Sequence, residues 1–418
     1  MASAERLGAA RWRLWLVQAS AFAAPALLLL VTLVAAASPG AGLPCFYAAV
    51  VDYGPRNLFA DGGAWAQRAL GQTHPALFLE TPTTAAFSAY TALVLLAVAA
   101  FDVAAAVIIR QESRGEPEPA HHMSALAALA TPPGALLLGA LAAWTLQAAV
   151  LLLSHKVMLL AAATYLAHAG FVAAFAGLFC TAGLPSGEYA DAVRALRGAS
   201  PRAHRLLGPG RAVLINLVCG AVALAVGTTP LMLGQLLAAS LSLTLAQTVA
   251  VGVAVFCAAA VLFLALGELV LSRYAQVLPG PAFGTLVTAS CIAVSAHDYF
   301  RQLRHAVSAQ APGLPVGVKL ALAAVALLAV AMLVLRLVRA CLYHRQKNSA
   351  FYGRVSAARQ QAVRYIARAR GVRRGRAAPA PADAGTALLD GGDATDDEDA
   401  LYETEGRAAE RSYALAYR

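Results

Sequence analysis

The chain has 418 residues, 60% of them in the hydrophobic set and 13% charged, against about 45–50% and about 25% in soluble domains. That excludes a soluble globular class, and it excludes disorder over most of the length, because segments this apolar do not stay hydrated. The formal charge of +10 does not signal nucleic acid either: the chain from Cys341 onward carries +3 and everything before it +7, so no compact basic domain exists.

Eight runs are long and apolar enough for spanning helices, which need about 20 residues. In chain order they are 14–37, 84–109, 124–153, 157–180, 212–234, 243–271, 280–298 and 316–340. Pro132 and Pro133 sit inside the third run and put its true start near them, and no charge marks a loop between the fifth and sixth, around Gln235 to Ser242. The fold class predicted is all-α: a polytopic integral membrane protein with eight transmembrane helices. Residues 1–13 form a cytoplasmic N-terminus, 14–340 the helical body, 341–376 a basic juxtamembrane segment and 377–418 an acidic, disordered cytoplasmic tail.

Lys and Arg collect on the cytoplasmic side of a membrane protein. With the N-terminus inside, eleven fall in inner segments before the eighth helix and six in outer ones, and fifteen more follow from Arg336 onward. Both termini are therefore expected in the cytosol. A signal peptide cleaved after Ala35-Ala36-Ala37 would leave seven spans and the topology of a heptahelical receptor. The first apolar run, some 24 residues, is longer than the roughly 7–15 of a signal core.

The longest outer segment, 38–83, holds Phe46, Tyr47, Tyr53, Phe59, Trp65 and Phe78. It is long enough for a small cap or partner surface, and an aromatic belt at the membrane interface is the alternative. Cys45 is the one cysteine of six that falls in an outer segment. That compartment is oxidising, and an odd cysteine points to a bond with another chain or to a free thiol. Cys180, Cys219, Cys257 and Cys291 lie inside apolar runs and read as packing residues. Cys341, at the inner end of the last run, is placed to accept a palmitoyl chain.

The ionisable residues inside the runs are Asp102, Glu268 and Arg336, with His168 and His297 near run ends. An intramembrane charge suggests a proton or ion path. Here Asp102 and Arg336 lie close enough to an end to snorkel, and Glu268 is near Arg273, which leaves too little for a pump. A transporter, channel or receptor stands as the alternative function. No nucleophile elbow, zinc-protease motif or phosphate loop appears, and His121-His122 lacks a third ligand, so neither an enzyme nor a metal or cofactor site is expected.

Beyond the last run, eight arginines from Arg354 to Arg376 form a block suited to an anionic leaflet. With Tyr365 the only aromatic among them, stacking on RNA is disfavoured. The acidic stretch around Asp396, Asp397, Glu398 and Asp399 is either a ligand for cytosolic sorting adaptors and assembly proteins or a solubilising end. Tyr352-Gly353-Arg354-Val355 has the form of a tyrosine sorting signal, with Tyr352 and Val355 as its fixed positions.

Four segments carry a family resemblance: Pro44-Cys45-Phe46-Tyr47-Ala48, Ser186-Gly187-Glu188-Tyr189, Gly208-Pro209-Gly210-Arg211-Ala212-Val213-Leu214 and Leu342-Tyr343-His344-Arg345. With the eight runs, they make the chain similar to the herpesvirus envelope glycoprotein M family, of alphaherpesvirus type. The resemblance implies that Cys45 forms a disulfide with a small partner, glycoprotein N, with Pro44, Phe46 and Tyr47 in the partner-binding loop. It further implies escort of that partner to the trans-Golgi network, assembly with other viral envelope and tegument proteins at budding membranes, and a role in envelopment and egress. The implied locations are the virion envelope and host Golgi, endosome and inner nuclear membranes. No asparagine stands in an Asn-X-Ser/Thr acceptor, a departure from the glycan often found in the family's first loop.

Overall fold

The computed structural model describes residues 2–37, 77–78, 81–112, 117–155, 157–183, 188–241, 243–270, 278–302 and 311–346. These contain α-helices, one π-helical turn and no strand. In chain order the helices are α1 (Ala2–Ala37), α2 (Thr81–Glu112), α3 (Pro117–Ala130), α4 (Pro133–Ser154), α5 (Met158–Thr181) and α6 (Glu188–Ala199). They continue as α7 (Pro201–Arg205), the π-turn Leu206–Gly210, α8 (Arg211–Leu241), α9 (Leu245–Leu269), α10 (Gly280–Gln302) and α11 (Leu314–Gln346). The tail from residue 347 lies outside the described residues, so its expected disorder does too.

Seven helices among the described residues, α1, α2, α4, α5, α8, α9 and α11, hold segments long and apolar enough to cross a membrane. A helix of 22 residues such as α4 measures about 33 Å, matching a hydrocarbon layer of about 30 Å. The expected run 280–298, seventh in chain order, forms α10, 23 residues long, which is not among these seven. Its Thr285, Thr288 and Ser295 are buried, and the first two turn their hydroxyls onto the Pro281 and Gly284 carbonyls of their own helix. That polar content lowers its apolarity while the helix packs between α8 and α11.

The third run is corrected to two helices. Pro133 enters α4 at a first-turn position and Pro132 is extended (ψ 152°), since a residue before proline is pushed out of the helical region. The break leaves Thr131 fully buried, with its carbonyl accepting from Trp15 Nε1 on α1 at 3.0 Å. The uncharged stretch near 235–242 is resolved differently: α8 continues to Leu241, and α9 begins at a capping box of Thr244 and Gln247. At the ends, α1 starts at Ala2, well before residue 14, and α11 runs on past residue 340 to Gln346.

The body comprises two groups, α1, α2, α4 and α5 on one side and α8 to α11 on the other, joined where α8 packs on α5 and α2. Lipid supplies no hydrophobic drive between helices, so small residues and interhelical hydrogen bonds decide where they meet. A Cβ on Gly284 of α10 would stand 3.0 Å from Gly220 Cα of α8 and 2.7 Å from Ala223 Cβ, so only glycine permits that crossing. Gln147 Nε2 of α4 donates to Thr32 Oγ1 of α1 at 3.0 Å, and His168 Nδ1 of α5 donates to the Ala142 carbonyl of α4 at 2.8 Å.

Candidate functional sites at the two ends of the bundle

At the end that carries the N-terminus of α8, two motifs singled out in the sequence meet. Helix α6 buries Tyr189, Val193 and Leu196, spaced four and three residues apart, and turns Arg194 and Arg197 outward. Ser200 ends it and caps α7, accepting from Ala203 N at 3.3 Å, and its hydroxyl donates to Glu112 Oε1 of α2 at 2.9 Å. The π-turn follows, with Pro209 inside it. A Cβ on Gly210 would come 3.2 Å from the Arg205 carbonyl, so the tight turn favours glycine there. Tyr189 Oη donates to the Leu207 carbonyl within this turn at 2.7 Å.

Arg211 closes the knot. Read as one of the loop cations that set topology, it is instead 2% exposed. Its Nη2 donates to the Phe179 carbonyl at 2.9 Å and the Ala182 carbonyl at 2.7 Å, satisfying the end of α5. Its guanidinium lies 4.4 Å from the Tyr189 ring centroid and 5.8 Å from that of Phe179. Burial pushes the Tyr189 phenol above its ordinary range, the Arg211 cation acting the other way. The tyrosine therefore stays a neutral donor at physiological pH.

At the opposite end, Leu77 and Phe78 precede α2 and are both buried. Phe78 packs edge-on against Tyr299 (centroids 5.1 Å apart) and tilted against Phe300 (5.7 Å). Leu77 lies over Gly234 and Gly252, where a Cβ would stand 3.2 and 2.9 Å from its Cδ1. Phe78 has φ +56°, in the left-handed region, a conformation that costs about 1–2 kcal/mol for a residue with a side chain. The two residues thus dock the C-terminal edge of the expected outer segment onto the second helix group. Nothing but the apolar pair itself marks them in the sequence.

The intramembrane charges also differ from expectation. Arg336 does not snorkel: it is 7% exposed, its Nη2 donates to the Gly267 carbonyl at 2.8 Å, and its Nε is 2.6 Å from Glu268 Oε2. Arg339 pairs with the other Glu268 oxygen, so Glu268 joins α9 to α11; Arg273 lies outside the described residues. Asp102 is fully buried with the Thr131 hydroxyl facing its carboxylate, and no cation pairs with it among the described residues.

Of the residues expected to act on partners, Pro44, Cys45, Phe46, Tyr47, Tyr352, Val355, Asp396, Asp397, Glu398 and Asp399 lie outside the described residues. Cys341 is described, half-buried near the end of α11. Among the described residues no group of three or more His, Cys, Asp or Glu is gathered as metal ligands.

This geometry defines a polytopic helical membrane protein in which the buried arginines hold helix to helix. Residues 9–355 match the family model described as Herpesvirus glycoprotein M. The chain is 74% identical to envelope glycoprotein M of bovine herpesvirus 1.1 (strain Cooper), over 96% of this chain and 91% of that one. It is 45% identical to that of suid herpesvirus 1 over 86% and 88%, and 39% identical to that of equine herpesvirus 1 (strain Ab4p) over 96% and 90%. No solved structure matches. The chain belongs to the herpesvirus glycoprotein M family and is a viral envelope membrane protein.

Proposed function

We propose that this envelope protein works as the polytopic half of a disulfide-linked heterodimer, bonded through Cys45 to glycoprotein N, with Pro44, Phe46 and Tyr47 in the contact. Eight helices cross the bilayer in this reading, α10 as the seventh, and both termini face the cytosol. The pair moves to the trans-Golgi network and through endosomes, with a further population at the inner nuclear membrane. It concentrates other envelope and tegument proteins at budding membranes and catalyses no reaction. Host sorting adaptors read Tyr352, Val355 and the Asp396–Asp399 cluster, and Cys341 takes a palmitoyl chain.

The single observation that carries the reading is the odd cysteine of the 38–83 segment. The family membership supports the choice of partner, and the cation count supports the orientation. Coexpression of the two chains tests it. On non-reducing gels the wild-type pair migrates as one species that separates on reduction, whereas Cys45→Ser abolishes that species; a mutant that migrates unchanged refutes the bond.

A further inference from the structure

Helix α6, helix α7 and the π-turn bury one continuous stripe: Tyr189, Val193, Leu196, Ser200, Ala203 and Leu207, at alternating spacings of four and three residues. The segment packs on α3 and α2, and Ser200 ties it to Glu112 of α2. Its buried side is thus taken up within the protein. What it turns away from the bundle is cationic: Arg194, Arg197, Arg202 and Arg205 are all exposed. Asp191 is the one exposed carboxylate on the segment among the described residues, and it pairs with Arg194 at 2.6 Å. Arg197, Arg202 and Arg205 have no acidic partner among the described residues. The depth of this face follows from length. The apolar segment that leads into α8 runs from Pro201 to Gly234, 34 residues, or about 51 Å as a helix. That exceeds the hydrocarbon core of about 30 Å and even the 40–45 Å or so that includes the headgroups. The surplus stands outside the core, and the exposed Arg202 and Arg205 mark which end it occupies, at the level of the lipid phosphates.

We propose that Arg194, Arg197, Arg202 and Arg205 form a docking face for the headgroup of a phosphoinositide, an anionic phospholipid that carries a phosphomonoester as well as its phosphodiester. The cations are arginines throughout, and the planar guanidinium fork grips phosphate oxygens in pairs where an ammonium acts as a point charge. Arg194 and Arg197, like Arg202 and Arg205, stand three apart on their helices and so lie side by side. One fork satisfies a singly charged diester; several forks within a few turns match a headgroup with more than one phosphate. With both termini in the cytosol, as proposed above, this face meets the cytoplasmic leaflet, where anionic lipids collect. The leaflet rests on that orientation, whereas the face itself depends neither on it nor on Cys45.

The full-length chain in detergent micelles, where orientation plays no part, is incubated with short-chain phosphatidylinositol phosphate, with phosphatidylserine or phosphatidylcholine of the same chain length, or with inorganic phosphate. Native mass spectrometry then counts the adducts. The phosphoinositide adduct is expected to exceed the other three and to fall about fivefold for each of Arg197→Gln, Arg202→Gln and Arg205→Gln. Changing all four arginines to lysine keeps the charge and the fold and is expected to erase the preference over phosphatidylserine. Glutamine at the eight tail arginines from Arg354 to Arg376 is expected to leave the adduct in place. Equal binding of phosphatidylserine by the wild type, an adduct that survives in the arginine variants, or one lost only with the tail arginines overturns the proposal. Survival in the arginine variants would assign the face to an acidic protein segment instead.

Discussion

The Arg211 guanidinium lies over the Tyr189 ring, 4.4 Å from its centroid, while its Nη2 donates to two carbonyls at the end of α5. One side chain thereby fixes the relative positions of α5, α6 and α8. Lysine cannot reproduce both the stacking and the two-carbonyl reach. Hydrogen bonds from a charged donor contribute about 1.5–3 kcal/mol each, and Tyr189→Phe removes one neutral bond of about 1 kcal/mol. Thermal unfolding of the detergent-solubilised protein is expected to show a clear fall in midpoint for Arg211→Lys and a smaller one for Tyr189→Phe. Equal effects would contradict the geometry.

Glu268 bridges a buried arginine and an exposed one. Removing Arg336 alone leaves a carboxylate without its buried partner, at about 3–5 kcal/mol. Arg339 is 59% exposed at its side chain, so Arg339→Ala is expected to cost no more than about 1 kcal/mol. Pairing Arg336→Met with Glu268→Gln recovers most of the loss. If Arg339→Ala proved the more damaging in the same melting experiment, the assignment of the inner pair would fail.

Asp102 faces the Thr131 hydroxyl but no paired cation among the described residues. Its replacement by the neutral isostere, Asp102→Asn, is expected to leave the melting midpoint unchanged or raise it, because a buried ionisable group without a counter-charge is costly. Vesicles containing the variant and the wild type are expected to show the same solute and ion flux as empty ones. Flux that depends on Asp102 would favour the transporter alternative.

The outer anchor rests on close approach. Gly252→Ala brings a Cβ to 2.9 Å from Leu77 Cδ1, and Phe78→Ala removes a ring in contact with Tyr299 and Phe300, typically about 3–5 kcal/mol for a buried aromatic. Both variants are expected to lower the yield of the Cys45-linked pair and the thermal midpoint together. A full yield from a destabilised Phe78→Ala chain would separate the anchor from partner capture.

Whether α10 crosses is open to a direct measurement. Arg273→Cys and Arg304→Cys flank α10; if that helix spans, a membrane-impermeant maleimide labels them from opposite faces of sealed vesicles. Labelling from one face would make α10 a helix that enters without crossing.

The apolar runs were legible because the bilayer demands about 20 continuous apolar residues whatever the packing, and each of the eight overlaps a helix among the described residues, the third broken in two. Pro132 and Pro133 announced their break. What the sequence concealed is the use of charge and contact. Arg211 and Arg336 look the same as snorkelling cations until their acceptors are known, and those acceptors are carbonyls and a carboxylate on other helices. The meeting of the Tyr189 and Arg211 motifs depends on the π-turn between them. Leu77 and Phe78 are docked by glycines and aromatics more than 150 residues away in sequence.

That last separation sets a clock. Tyr299 leaves the ribosome roughly 220 residues after Phe78, which at about 5–20 residues per second is some 10–45 s. Until then the Phe78 ring lacks the aromatic pair that receives it, so this contact closes only once α10 has been made.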